Sequence, residues 1–184
     1  MATTFVEIAN RAITYLGGDT ITSLEDDTKE GRACLRLYEQ SRDQLLRDHP
    51  WNFSIKRAVL AANTTAPLWE YTNAFDFPND TIRIIEVDTL EEWAVEGRQI
   101  VTDAAAPLNI VYVERVNDPN LFDTKFIEAF SIRLAADIAY DITASQSVVQ
   151  GAENKYLQLI QTARLIDAQE SLSENEQSWL DARN

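Results

Sequence analysis

Arg47-Asp48-His49-Pro50-Trp51-Asn52-Phe53-Ser54-Ile55-Lys56-Arg57-Ala58-Val59 decides the fold, because the hydrophobic period changes inside it. Up to Arg47 the apolar residues recur at helical spacing. From Phe53 onward Phe53, Ile55, Arg57 and Val59 alternate with Asn52, Ser54, Lys56 and Ala58, the period of a strand. The break falls at His49-Pro50, since the residue before a proline disfavours the α region. Residue 50 is therefore the start of a β block.

Toward the N-terminus the periodicity predicts two helices. Phe5, Ile8, Ala9, Ala12, Ile13 and Leu16 share one face of the first, with Thr3 or Thr4 as N-cap and Gly17-Gly18 as stop. A linker over residues 19–27 carries Ile21 and Leu24. The second helix starts near Thr28 and runs to about Arg47, with Cys34, Leu35, Tyr38, Ser41 and Leu45 as its apolar stripe and Lys, Arg, Glu and Asp opposite.

Toward the C-terminus the chain stays β-like. Leu68-Trp69-Glu70-Tyr71 reads as a short second strand and residues 81–87 as a third. Residues 92–95 and 98–101 flank Glu96-Gly97 as a hairpin, and residues 109–113 close the block, giving five or so strands in a small antiparallel sheet or sandwich. After Asp118-Pro119 the helical period returns. Phe122, Phe126, Ile127, Phe130, Leu134, Ile138 and Ala139 form one stripe ending near Ile142. A fourth helix, capped by Ser145 or Ser147, buries Val149, Ala152, Tyr156, Leu157, Ile160, Ala163 and Ala168. The expected fold is α+β: a bundle of about four helices contributed by the two chain ends (1–49 and 118–170), an inserted β subdomain (50–117), and a polar tail (171–184).

Composition bounds the chemistry. The chain has 184 residues, 45% of them apolar and 25% charged, as in an ordinary globular protein. Sixteen Lys and Arg against 30 Asp and Glu give a net charge of −14, which disfavours nonspecific binding along a phosphate backbone and suits a basic protein partner. A single cysteine, Cys34, excludes an internal disulfide, and with one histidine, His49, no Cys- or His-rich metal site is expected. The N-terminus lacks the pattern of a signal peptide, and no window reaches the roughly 18 apolar residues of a membrane span, so a soluble protein of a reducing compartment is expected.

No phosphate-binding loop, nucleophile elbow or zinc-protease motif is present. His49, before a proline at a helix end, reads as structural, and Cys34 lies in an apolar stripe with no histidine to activate it. Glu25-Asp26-Asp27, Glu91-Glu92, Asp76 and Asp80 match no calcium loop. They read as a hydrated acidic surface, with Asp26 or Asp27 capping the second helix. Trp51, Trp69 and Trp93 lie in or beside the β block, where large aromatics build a small core. Trp179 differs: with Leu180, and Leu172 nearby, it stands in the polar tail, which reads equally as a docking anchor for another chain or as a tail folded back. No catalytic, cofactor-binding or metal-binding residue is expected, and the candidate protein-interface residues are Leu172, Trp179 and Leu180.

Leu24-Glu25-Asp26-Asp27, the run from Ala33 to Tyr38, Gln44-Leu45-Leu46-Arg47 and Pro50-Trp51-Asn52-Phe53 together resemble tail tubular protein A, the head-to-tail adaptor family of short-tailed bacteriophages. The resemblance continues through Ala58 to Ala61, Phe77-Pro78-Asn79-Asp80, Val95-Glu96-Gly97-Arg98-Gln99-Ile100, Pro119 to Phe126 and the alanine-rich helix from Leu134 to Ala139. It implies a helical bundle with a β insert. It also implies a structural virion protein without enzymatic activity or cofactor, located at the head-tail junction after assembly in the host bacterial cytoplasm. Twelve copies would form a ring between the portal protein and the tail nozzle or tube. Genomic DNA would pass through the lumen without specific binding, and no membrane would be involved. The alternatives are a tail-terminator or head-closure ring protein, or a virion-associated polysaccharide hydrolase recognisable by a cleft joining two acids to Trp69 or Trp93.

Overall fold

A computed structural model describes residues 4–181, with side chains through residue 163. The fold is α+β, with four α-helices and two three-stranded antiparallel sheets among the described residues. The chain divides into two compact units, one of Met1–His49 and Asp118–Asn184, the other of Pro50–Asn117.

The helical unit begins with α1 (Phe5–Leu16). Thr4 closes a capping box: its hydroxyl accepts from the Glu7 amide at 3.2 Å while its own amide donates to the Glu7 carboxylate at 3.0 Å. Gly17, at φ 75°, ends the helix in the left-handed conformation that a side chain would disfavour. Helix α2 (Lys29–Asp48) is capped by Thr28, whose hydroxyl accepts from the Gly31 amide at 3.0 Å. Neither Asp26 nor Asp27 caps it. Asp26 instead organises the preceding loop, accepting from the Thr22 and Ser23 amides at 2.7 and 3.1 Å, and these bonds hold its carboxyl below the usual range.

Helix α3 (Thr124–Thr143) is capped by Asp123, which accepts from the Phe126 amide at 2.7 Å. It packs against α1, α2 and α4. Burial on three sides explains why its apolar residues run nearly all round, with Phe126, Phe130, Leu134 and Ile138 fully buried. Each contributes roughly 2–3 kcal/mol of hydrophobic stabilisation. Tyr38 meets Phe5 and Phe130 edge-on, and Phe122, Phe126 and Phe130 extend this aromatic cluster.

A polar seam crosses the same interfaces. The Ser41 hydroxyl donates to Asp137 at 2.6 Å, and the Arg133 guanidinium pairs with Asp137 at 3.1 Å and donates to Gln44. The Tyr156 hydroxyl of α4 (Gln146–Asp181) donates to Asp48 at 2.6 Å, beneath the Arg133 guanidinium, 5.2 Å from the ring centroid. In α4, Ala152, Tyr156 and Ile160 are buried as expected, but Leu157 is exposed, as is Leu35 in α2. Arg42, expected on the solvent face, is buried and paired with Asp43. Helix α4 continues through residues 171–181, expected as a polar tail, because that stretch holds good helix formers and neither Gly nor Pro.

In the β unit, a 3-10 turn at Asn52–Ser54 leads into β1 (Ile55–Leu60). The strands β2 (Asn73–Asp76), β3 (Thr81–Val87), β4 (Trp93–Glu96), β5 (Gln99–Thr102) and β6 (Leu108–Glu114) follow. They form two antiparallel sheets, ordered β1-β6-β3 and β2-β5-β4, the sandwich of the two arrangements expected, with six strands in place of five or so. Leu60, Leu108, Ile110 and Tyr112 of the first sheet and Phe75 and Ile100 of the second share one core. Residues 68–71 are not a strand; β2 lies further on, where Ala74 and Phe75 find partners in Val101 and Ile100. The β4–β5 hairpin turns through Gly97-Arg98, with positive φ at Gly97 alone, the pattern of a type II′ turn.

Candidate functional site

Chemistry-bearing side chains gather where the β1–β2 loop lies over the second sheet. The loop is fixed at both ends. The Asn63 amide donates to the Ala74 carbonyl at 2.8 Å, and the Thr72 amide and hydroxyl both donate to Asp103, at 2.9 and 3.0 Å. Between these anchors the Tyr71 amide bonds back to the Trp69 carbonyl at 2.9 Å, around Glu70 at φ 73°. This is a positive-φ γ-turn, a strained conformation costing on the order of 1–3 kcal/mol. It turns Leu68 and Trp69 outward, at 99% and 77% exposure.

Strand alternation builds the floor beneath the loop. Ala74 pairs with Val101, and Asp76 and Glu96 flank Gln99 on the neighbouring row, so these side chains share one face. With the loop they border an open cleft of about 530 Å³, lined by Trp69, Glu70, Asp76, Glu96 and Gln99 and by no cationic side chain. The Gln99 amide donates to Asp76 at 2.9 Å. A cleft joining acids to Trp69 is thus present. A glycosidic general acid is kept protonated by apolar surroundings, whereas Glu70, Asp76 and Glu96 are all exposed to water. The arrangement is suited to accepting hydrogen bonds from hydroxyl or cationic groups stacked on the indole.

The other residues singled out from the sequence are scattered. Cys34 is buried, and burial together with the Glu30 charge pushes its thiol up to about 11, away from nucleophilic reactivity. His49 is buried at the end of α2, and its neighbour Asp48 is engaged by Tyr156. Trp51 is buried, but Trp93 is 40% exposed and Trp69 more so, so the tryptophans do not form one core. Asp27 pairs with Arg32. Among the described residues no group of three or more His, Cys, Asp or Glu is placed to hold a metal ion, and no helix is long and apolar enough to cross a membrane. Leu172, Trp179 and Leu180 have side chains outside the described residues.

Sequence reasoning missed Leu90, fully exposed, and the pairing of Leu68 with Trp69 at a turn tip. The turn signal at residues 63–67 was legible; the γ-turn at Glu70 has no residue-type signature, since glutamate is not a positive-φ residue. Comparison of the chain with protein-family models and with curated proteins returns no match.

Proposed function

We propose that the chain is a structural protein of a bacteriophage neck, a head-to-tail adaptor whose copies form a ring between the portal and the tail nozzle or tube. The observation that carries the reading is the apolar surface of the β unit. Leu68, Trp69, Leu90, Trp93 and Val95 all meet water from backbone held in strands and anchored turns. Large apolar side chains displayed on ordered backbone are the anchors of protein interfaces. The order of elements supports it too, since helices from both chain ends bracket the β insert as the resemblance to tail tubular protein A implies.

In this reading the far part of α4, with Leu172, Trp179 and Leu180, docks on the portal. The exposed apolar side chains of the β unit anchor a neighbouring ring component, and the acidic chain gives DNA no cationic track to hold. Electron microscopy of the chain mixed with its cognate portal tests it: an added ring is expected, and free portals would refute it. Deleting residues 170–184 should leave a folded protein that no longer binds portal. A tail-terminator or head-closure ring would instead join a different neck component. A second reading, a virion polysaccharide hydrolase, has the cleft joining acids to Trp69 in its favour and the water exposure of Glu70, Asp76 and Glu96 against it, and new reducing ends released from host surface polysaccharide are its readout.

A further inference from the structure

The β unit has four sheet-edge strands, and they are not equally protected. An edge presents unpaired N–H and C=O groups that invite another strand, and folds blunt it by bulges, by cover or by charge. β3 is blunted by two breaks in its register with β6, between Thr81 and Arg83 and between Ile84 and Glu86. β2 is covered where the Asn63 amide bonds Ala74. β1 and β4 have neither bulge nor cover and are guarded by charge alone, which repels a like edge and attracts an opposite one: β1 pairs with β6 in unbroken register from Ile55 to Leu60, and β4 with β5 from Trp93 to Glu96.

Those two edges are complementary. β4 and the turn before it carry Glu91, Glu92 and Glu96 with no base, while β1 carries Lys56 and Arg57 with no acid. Both display apolar side chains to water, Val95 (50%) and Trp93 (40%) on β4, Val59 (69%) and Ile55 (37%) on β1. A two-residue hairpin loop hydrogen-bonds its flanking pair, here Glu96 and Gln99, so the N–H and C=O of Val95 and Trp93 point away from β5.

We propose that β4 of one copy of this chain adds to the β1 edge of a second copy, extending the sheet across the contact. Two β4 edges repel through their glutamates and two β1 edges through Arg57, Lys56 being paired with Glu114, so the head-to-tail pairing is the attractive one. Such a contact leaves a free β1 and a free β4 at the ends, and it propagates into a closed ring or a filament. The inference rests on the ring reading for its setting and names the surface that builds the ring.

Sedimentation of the full chain over a concentration series tests it. The wild type should self-associate. E92K/E96K and R57E, each alone, should weaken association by about tenfold or more, and an equimolar mixture of the two should restore it, because each then meets an opposite charge. R57E leaves Lys56, which pairs with Glu114 at 3.0 Å, in place. Val95→Pro, which removes an outward N–H at an edge position that tolerates proline, should weaken association with an unchanged circular dichroism spectrum. A wild type that stays monomeric, variants that associate like the wild type, or a mixture that fails to restore association overturns the proposal. Adding portal to the same proteins separates the two readings. Charge variants that still form rings on portal overturn the edge contact alone. A wild type that associates through these edges yet ignores portal overturns the adaptor reading alone.

Discussion

Asn10 offers a sharp test of how the linker is held. Its side-chain amide donates to the Ile21 carbonyl at 2.8 Å, and its carbonyl oxygen accepts from the Ile21 amide at 2.8 Å. One side chain thus satisfies both backbone groups of one residue, as a neighbouring strand would, and seats the 5%-exposed Ile21 side chain. Asn10→Ala removes both bonds at about 1 kcal/mol each. Water reaches part of this site, so the cost should stay near 2 kcal/mol and not rise to the penalty of two orphaned buried groups. With a urea m-value of about 2 kcal/mol/M, the unfolding midpoint followed by helical ellipticity falls by roughly 1 M at unchanged m. Asn10→Asp keeps the shape and the acceptor but sets a carboxylate against the Ile21 carbonyl, so it should also destabilise. An Asn10→Ala protein within about 0.5 kcal/mol of wild type would refute the reasoning.

Phe130→Ala, which empties the centre of the aromatic cluster at a fully buried position, should cost about 3–5 kcal/mol in the same assay. Two glycines should respond with opposite signs. Gly97→Ala, forced to φ 61°, should destabilise by about 1 kcal/mol, while Gly151→Ala, on an open face of α4, should stabilise by about 0.5–1 kcal/mol, both read from thermal midpoints. Stability should fall on the alkaline side. Burial raises the Cys34 thiol from 9.0 to about 11 and the Tyr38 and Tyr156 phenols above 10.0, so the native state binds these protons more tightly than the unfolded chain. Their contribution is complete below the unfolded values and is lost as pH rises through 9.0 and beyond, and Cys34→Ala should flatten the thiol part of a denaturant-measured pH series.

Local chemistry made the helix starts and stops legible. Thr4, Thr28 and Gly17 are signals that act within one turn, and each works in the structure as its residue type suggests. The errors fall where tertiary pairing outweighs local preference. Leu68-Trp69-Glu70-Tyr71 has stronger strand character than Asn73-Ala74-Phe75-Asp76, yet β5 chooses the latter because Phe75 then enters the shared core. Arg42 is buried because its charge meets Asp43, while Leu35 is left in water, and a stripe drawn by hydrophobicity alone inverts both. The cleft at Trp69 was invisible for a related reason: the row of Asp76, Gln99 and Glu96 exists only through the β2–β5–β4 register, which no single segment encodes.

Because the helical unit is drawn from both ends of the chain, its defining contacts join residues far apart in sequence. Lys29 reaches the Ile142 carbonyl across 113 positions, and Tyr156 reaches Asp48 across 108. On the ribosome, α1 and α2 must therefore wait for α3, with their apolar faces uncovered, while residues 50–117 are synthesised. That intervening segment contains the six strands of the described residues and can close its own core first. Once folded, it pairs Ile55 with Val113, so the chain enters and leaves it on neighbouring strands, a shorter effective tether than a loose loop of the same length and a lower entropy cost for the final helix docking. Mutations that slow the β unit should thus prolong the interval in which nascent α1 and α2 are vulnerable to chaperone capture or proteolysis, even if they leave the finished helices untouched.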